Sequence, residues 1–199
     1  MWARMIALGG LLLWSSIVSA QSLSAPSLSA GDRALIDATR RNDVETARRL
    51  IANGASVNAQ DENRDSAFLL AGAEGRLEIL KLTLQAGADL KSTNRYGGTA
   101  LIPACHHGHL ETVRELLKTA IDVNHVNRLG WTALLETVIL GDGSATYDGS
   151  ATYIEITRLL VAHKADVNLA DKQGLTPLAH ARQRGHREIV AILEAAGGR

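Results

Sequence analysis

Cys105-His106-His107-Gly108-His109 is the stretch whose residue types could hold a metal ion or carry redox chemistry. Thiolate and imidazole are the ligands that zinc and copper prefer. The spacing speaks against a single site, because successive residues on a helix point about 100° apart and Cys105, His106 and His107 cannot converge on one ion. Asp142-Gly143 and Asp148-Gly149 raise calcium, but the alternating ladder of oxygen ligands and the closing bidentate Glu are missing. No nucleophile elbow, zinc-protease helix or phosphate-cradling glycine loop occurs. Asp32, Asp43, Asp61 and Asp89 are scattered and read as caps and solvated turns rather than as acids in a cleft. The residues therefore predict no enzymatic activity, no metal and no cofactor.

The elements that carry this stretch are repeats. Asn53-Gly54-Ala55-Ser56-Val57-Asn58 returns 33 positions later as Ala86-Gly87-Ala88-Asp89-Leu90-Lys91, and after 33 more as Thr119-Ala120-Ile121-Asp122-Val123-Asn124. A fourth copy, His163-Lys164-Ala165-Asp166-Val167-Asn168, follows after 44. Thr99-Ala100-Leu101, Thr132-Ala133-Leu134 and Thr176-Pro177-Leu178 form a second ladder in the same phase. Such periodicity marks a stacked helical array, in which each unit has an apolar face it cannot bury alone. In the third unit, Thr99–Gly108 reads as one short helix and Leu110–Thr119 as a second, with Leu110, Val113, Leu116 and Leu117 at helical spacing. Asn94-Arg95-Tyr96-Gly97, Asn127-Arg128-Leu129-Gly130 and Asp171-Lys172-Gln173-Gly174 then read as turns whose glycine needs positive φ.

Outside the repeats the chain is simple. Arg4, the apolar run Met5–Trp14 and the small-residue exit Val18-Ser19-Ala20 read as a secretory signal peptide over residues 1–20. The apolar run is too short for the roughly 20 residues a spanning helix needs. Residues 21–31 read as a flexible lead-in, followed by Asp32 as a helix N-cap. The 21 basic and 21 acidic residues balance, which favours neither nucleic acid nor an anionic membrane as partner. Cys105 is the only cysteine, so stability must come from stacking rather than from an internal disulfide.

Thr176-Pro177-Leu178-Ala179-His180-Ala181, then Gly185-His186 and Glu188-Ile189-Val190, resembles the ankyrin repeat. Gly108-His109-Leu110-Glu111-Thr112-Val113 and Gly87-Ala88-Asp89 match the same pattern. The resemblance implies an all-α solenoid over 32–199, with five helix-turn-helix units at about 32–60, 61–93, 94–126, 127–170 and 171–199, and hairpin-like fingers between them. It also implies a concave face that binds another protein, and it sets Cys105 at a small apolar position facing the neighbouring unit. The layout is similar to small exported ankyrin proteins of bacteria, which implies a periplasmic or secreted protein, monomeric by itself. Some of those are associated with catalases, so an accessory role beside a haem enzyme in oxidative-stress defence is an alternative; an immunity-type inhibitor of an exported toxin is another.

Departures from the pattern carry their own expectations. Arg64 stands at a finger glycine, so that finger is expected to differ in shape. Ala120 and Lys164 replace the helix-ending glycine, each at a cost on the order of 1 kcal/mol if the backbone stays left-handed. The fourth unit holds 11 extra residues near 142–153, a tandem Asp-Gly-Ser-Ala-Thr-Tyr hexapeptide that is either a tolerated duplication or a binding loop presenting Tyr147 and Tyr153. The expected binding edge is the row of finger tips, Arg95, Tyr96, Arg128, Lys172 and Gln173, together with an exposed Trp131 and a groove-facing His106.

Overall fold

The computed structural model describes residues 28–139 and 151–199. The expected signal peptide, most of the lead-in, Tyr147 and most of the insertion lie outside the described residues. Five helix pairs follow one another: α1 (Ala30–Arg40) with α2 (Val44–Ala52), α3 (Ala67–Ala73) with α4 (Leu77–Gln85), α5 (Leu101–His106) with α6 (Leu110–Leu117), α7 (Ala133–Ile139) with α8 (Ala151–Ala162), and α9 (Pro177–Arg184) with α10 (Arg187–Ala195). The odd-numbered helices pack on one another in order as an inner row, and the even-numbered ones as an outer row. Among the described residues there is no strand and no helix long and apolar enough to cross a membrane.

One large apolar side chain per unit builds the spine of the core. Leu35, Phe68, Leu101, Leu134 and Leu178 recur in phase and are each at most 1% exposed. Full burial of such a side chain stabilises by about 1.5–3 kcal/mol. Each core layer is thin enough for Leu, Ile, Val and Ala to fill it, which is why the array needs so few aromatic residues.

The first helix begins earlier than expected. Ser29, not Asp32, is the N-cap of α1, and Asp32 closes a capping box three residues on. The second carboxylate oxygen of Asp32 accepts the Ser56 N–H at 2.7 Å, tying α1 to the end of its own unit. Helix α5, by contrast, begins late, at Leu101 rather than Thr99. Ser66, Thr132 and Thr176 each cap by accepting the N–H three residues ahead. Pro103 has no N–H to give the Thr99 carbonyl, so the Ile102 N–H turns to that carbonyl at 3.3 Å. The buried Thr99 hydroxyl is left without a partner.

The four fingers share one construction. The N–H of Asp61, Asn94, Asn127 or Asp171 donates to the carbonyl four residues on, and its side-chain oxygen accepts two N–H groups, from the residues two and four ahead. Arg64 therefore does not alter its finger: it takes φ +60° where the others place glycine, and makes the same bonds.

The outer turns are less uniform. Gly54, Gly87, Lys164 and Gly197 have positive φ, and the N–H of the next residue reaches back to a carbonyl five positions earlier. Asn58, Asn124 and Asn168 then clasp the turn of the following unit, donating to the carbonyl of Gly87, Lys164 or Gly197 and accepting the N–H two residues beyond it. Ala120 breaks the series, with no left-handed φ. The Thr119 hydroxyl instead donates to the Leu116 carbonyl at 2.6 Å and accepts the Ile121 N–H at 3.2 Å, relaying the bond the turn would otherwise make directly. Lys91 occupies the clasp position one unit earlier and has no acceptor for an incoming N–H, so this junction lacks both the clasp and the left-handed turn.

Three variants test this account. Lys164→Gly is expected to gain roughly 0.5–1 kcal/mol by relieving the left-handed lysine. Ala120→Gly brings no such gain, because there is no left-handed strain to relieve. Thr119→Ala loses on the order of 1 kcal/mol with its relay. Urea melts rank them, and equal gains for both glycine variants would contradict the right-handed third turn.

Candidate protein-binding groove

The Cys105–His109 stretch divides in three directions. Cys105 points into the core beside Thr137, is 0% exposed, and has its thiol pushed up to about 12 by burial. His109 reaches back to the preceding unit, hydrogen-bonded to the Ala73 backbone, with its ring so close over Gly75 that a Cβ there would sit 2.7 Å from it. His106 faces forward, its Nδ1 3.1 Å from Oε2 of the buried Glu136. Among the described residues no three His, Cys, Asp or Glu side chains are arranged to hold a metal ion. A bulky thiol reagent is therefore expected to label Cys105 slowly in the native protein and rapidly in urea. Fast native labelling would show that the junction between α5 and α7 opens.

His106 opens onto a groove of about 310 Å³ between two neighbouring fingers, lined by Tyr96, Ile102, Pro103, His106, His107, Asn127, Leu129, Trp131 and Glu136. Glu136 is held from both sides, by His106 on one oxygen and by Asn127 Nδ2 at 3.3 Å on the other. The bond to Glu136 raises the His106 imidazole above its ordinary value, against partial burial. The next unit repeats the device at the same nine-residue spacing, with Asp171 Oδ2 2.7 Å from His180 Nε2 and Arg184 donating to His180 Nδ1. Burial would raise the Asp171 carboxyl, but bonds from Leu175, His180 and Gln173 outweigh it and hold it low. Both pairs fix a finger to its inner helix.

The expected binding residues fall into three groups. Arg95, Tyr96 and Gln173 are exposed at the tips, with the Arg95 guanidinium 5.0 Å from the centre of the Tyr96 ring. Arg128 and Lys172 are exposed but partly engaged in joining fingers. Arg128 lies across Gly97 and donates to the Arg95 carbonyl at 3.0 Å, while Lys172 lies across Gly130 and donates to the Arg128 carbonyl. Trp131 is half-buried in the groove wall rather than exposed on the edge.

Tyr153 is not displayed on a projecting loop. It falls in phase with His109, within α8, which begins at Ala151. Its ring covers Gly108 and its hydroxyl donates to the His106 carbonyl at 3.1 Å, as His109 serves Gly75 and Ala73. Sequence reasoning passed over Glu136, Leu129 and Asn127. The nine-residue step shared by Asn127/Glu136 and Asp171/His180 was visible, but it identifies a contact only once the finger is known to fold back on its helix.

Three family signatures match: a single ankyrin repeat over residues 30–62, ankyrin repeats in three copies over 67–145, and ankyrin repeats in many copies over 150–194. The chain belongs to the ankyrin repeat family. An ankyrin repeat domain of Acinetobacter baumannii, solved by crystallography, is 56% identical with a TM-score of 0.79, covering 83% of this chain and 81% of that one. The ankyrin repeat protein EF0377 is 41% identical with a TM-score of 0.75, over 80% of this chain and 78% of its own. The ankyrin repeat protein YahD of Escherichia coli is 43% identical over 63 residues, 32% of this chain and 28% of the length of YahD. Ankyrin arrays are in general non-catalytic modules that bind other proteins.

Proposed function

We propose that this ankyrin array is a non-catalytic binder of another protein outside the cytoplasm, in a bacterial periplasm or the secreted fraction. The observation that carries the binding part is the distribution of exposed apolar surface. Tyr96 at 53%, Val126 at 49% and Leu129 at 51% are the exposed large apolar side chains of the described residues; Tyr96 and Leu129 belong to two adjacent fingers and Val126 directly precedes the second of them. Tyr96 and Leu129 flank the groove containing Trp131. Aromatic residues and arginine at such a place are the usual anchors of a protein interface. The export part rests on the sequence of residues 1–20 alone.

Cross-linking and capture with the tagged chain from the exported fraction tests the reading, and the captured partner distinguishes a haem enzyme, an exported toxin or another protein. Handling of metal or redox equivalents by the array itself gains no support from a buried Cys105 and divergent histidines. N-terminal sequencing of the exported protein is expected to begin at or within a few residues of Gln21. Met1 retained on a cytosolic product would overturn export while leaving binding untouched.

A further inference from the structure

We infer that the groove between the second and third fingers takes an acidic peptide segment carrying one bulky apolar side chain. The inference rests on the protein-binding reading above and adds the chemistry of what is bound. Apolar walls of Tyr96, Leu129 and Trp131 over a groove of about 310 Å³ offer room for one or two side chains, at the lower end of ligand-pocket volumes.

The charges around that opening are unbalanced. Arg95, Arg128 and Lys172 follow one another along the finger edge, and among the described residues none of them forms an ion pair with a carboxylate within 4 Å. Arg95 lies against the Tyr96 ring, while Arg128 and Lys172 meet only backbone carbonyls, which leave their charge uncancelled. The carboxylate at the groove floor is already committed, since Glu136 is occupied by His106 and Asn127. Asp61 and Asp65 of the preceding finger offset the Arg95 charge in part, while Arg128 and Lys172 have no carboxylate partner among the described residues, in a chain whose formal net charge is zero. A segment with Asp or Glu on either side of a Leu or Phe places its side chain against Tyr96, Leu129 and Trp131 and its carboxylates on the three cations. Such complementarity speeds association and rejects basic partners, and it weakens as salt screens it.

Fluorescence polarisation with three labelled twelve-residue peptides tests this. All carry the same central Phe, flanked by Asp and Glu, by Ser and Gly, or by Lys and Arg. The full chain is expected to bind the acidic peptide at least tenfold more tightly than the neutral one and the basic one least, with the advantage shrinking at high salt. Leu129→Ser is expected to weaken the acidic peptide about tenfold, as is the combined Arg95→Gln, Arg128→Gln, Lys172→Gln variant, whose fold is checked by circular dichroism. Equal binding of the three peptides, binding of none, an unaffected triple variant, or tighter binding of a twelve-nucleotide oligothymidylate would each overturn the inference. A partner whose capture survives the triple change would overturn it too, while leaving the protein-binding reading standing.

Discussion

Replacing Arg95, Tyr96 and Leu129 together by alanine is expected to weaken capture of the partner by roughly 3 kcal/mol or more, a hundredfold or greater, with little change in the melting curve. Tyr96 and Leu129 are half exposed and the exposed Arg95 rests on the Tyr96 ring, so truncation removes contact surface without opening a cavity in the core. Trp131 and Arg128 are less suitable for this test, because the first is part of the groove wall and the second bonds the preceding finger. Deletion of residues 148–153 is the matched control. It removes one hexapeptide copy and leaves Tyr147 directly before Ile154, so the ring seat over Gly108 can be refilled. Loops of this length cost little to shorten. Normal binding by the triple variant and lost binding by the deletion would move the site to the inserted loop.

The largest stability effect is expected at Gly72. Its helix α3 packs so closely on the next unit that a Cβ would lie 2.7 Å from Ala100 Cβ and 3.0 Å from the Ala100 carbonyl oxygen. Two opposed effects decide the sign for alanine. Helix propensity favours Gly72→Ala by about 1 kcal/mol, while overpacking against a backbone costs about 1–3 kcal/mol. Because the nearest atoms include backbone that no rotamer change can move, the second effect wins and the variant loses stability. Gly72→Leu forces the inner helices α3 and α5 apart and is expected to lose on the order of 3 kcal/mol or more. Urea unfolding of both measures it, and a stabilised Gly72→Ala would mean that the two units slide past one another at small cost.

The misreadings at individual positions share a cause. Ala120 was expected to be strained if its turn stayed left-handed like those of Gly54 and Gly87, yet Thr119 supplies a hydroxyl that spares the backbone that turn. Arg64 was expected to reshape its finger, but the Asp61 carboxylate collects the Asn63 and Asp65 N–H groups and holds the common geometry. In both, one side-chain oxygen decides the turn: it holds Arg64 in a left-handed conformation and lets Ala120 avoid one. Periodicity alone compares residues only with their own phase.

By itself the sequence determined what is local and repeated: the unit length, the pairing of short helices, the in-phase Leu35-to-Leu178 spine and the turns whose Asx and Gly residues bond within five positions. Each follows from interactions inside one unit, so any copy reports on all. What lies between units was decided by the tertiary structure. The seat of Tyr153 on Gly108, the hold of Glu136 by His106 and Asn127, the bracing of Arg128 and Lys172 across neighbouring glycines, and the half-burial of Trp131 join residues mostly some thirty or more positions apart, or depend on such junctions. Stacking brings those side chains into reach, and a repeat pattern records the spacing of its units but not which side chains meet across the seam.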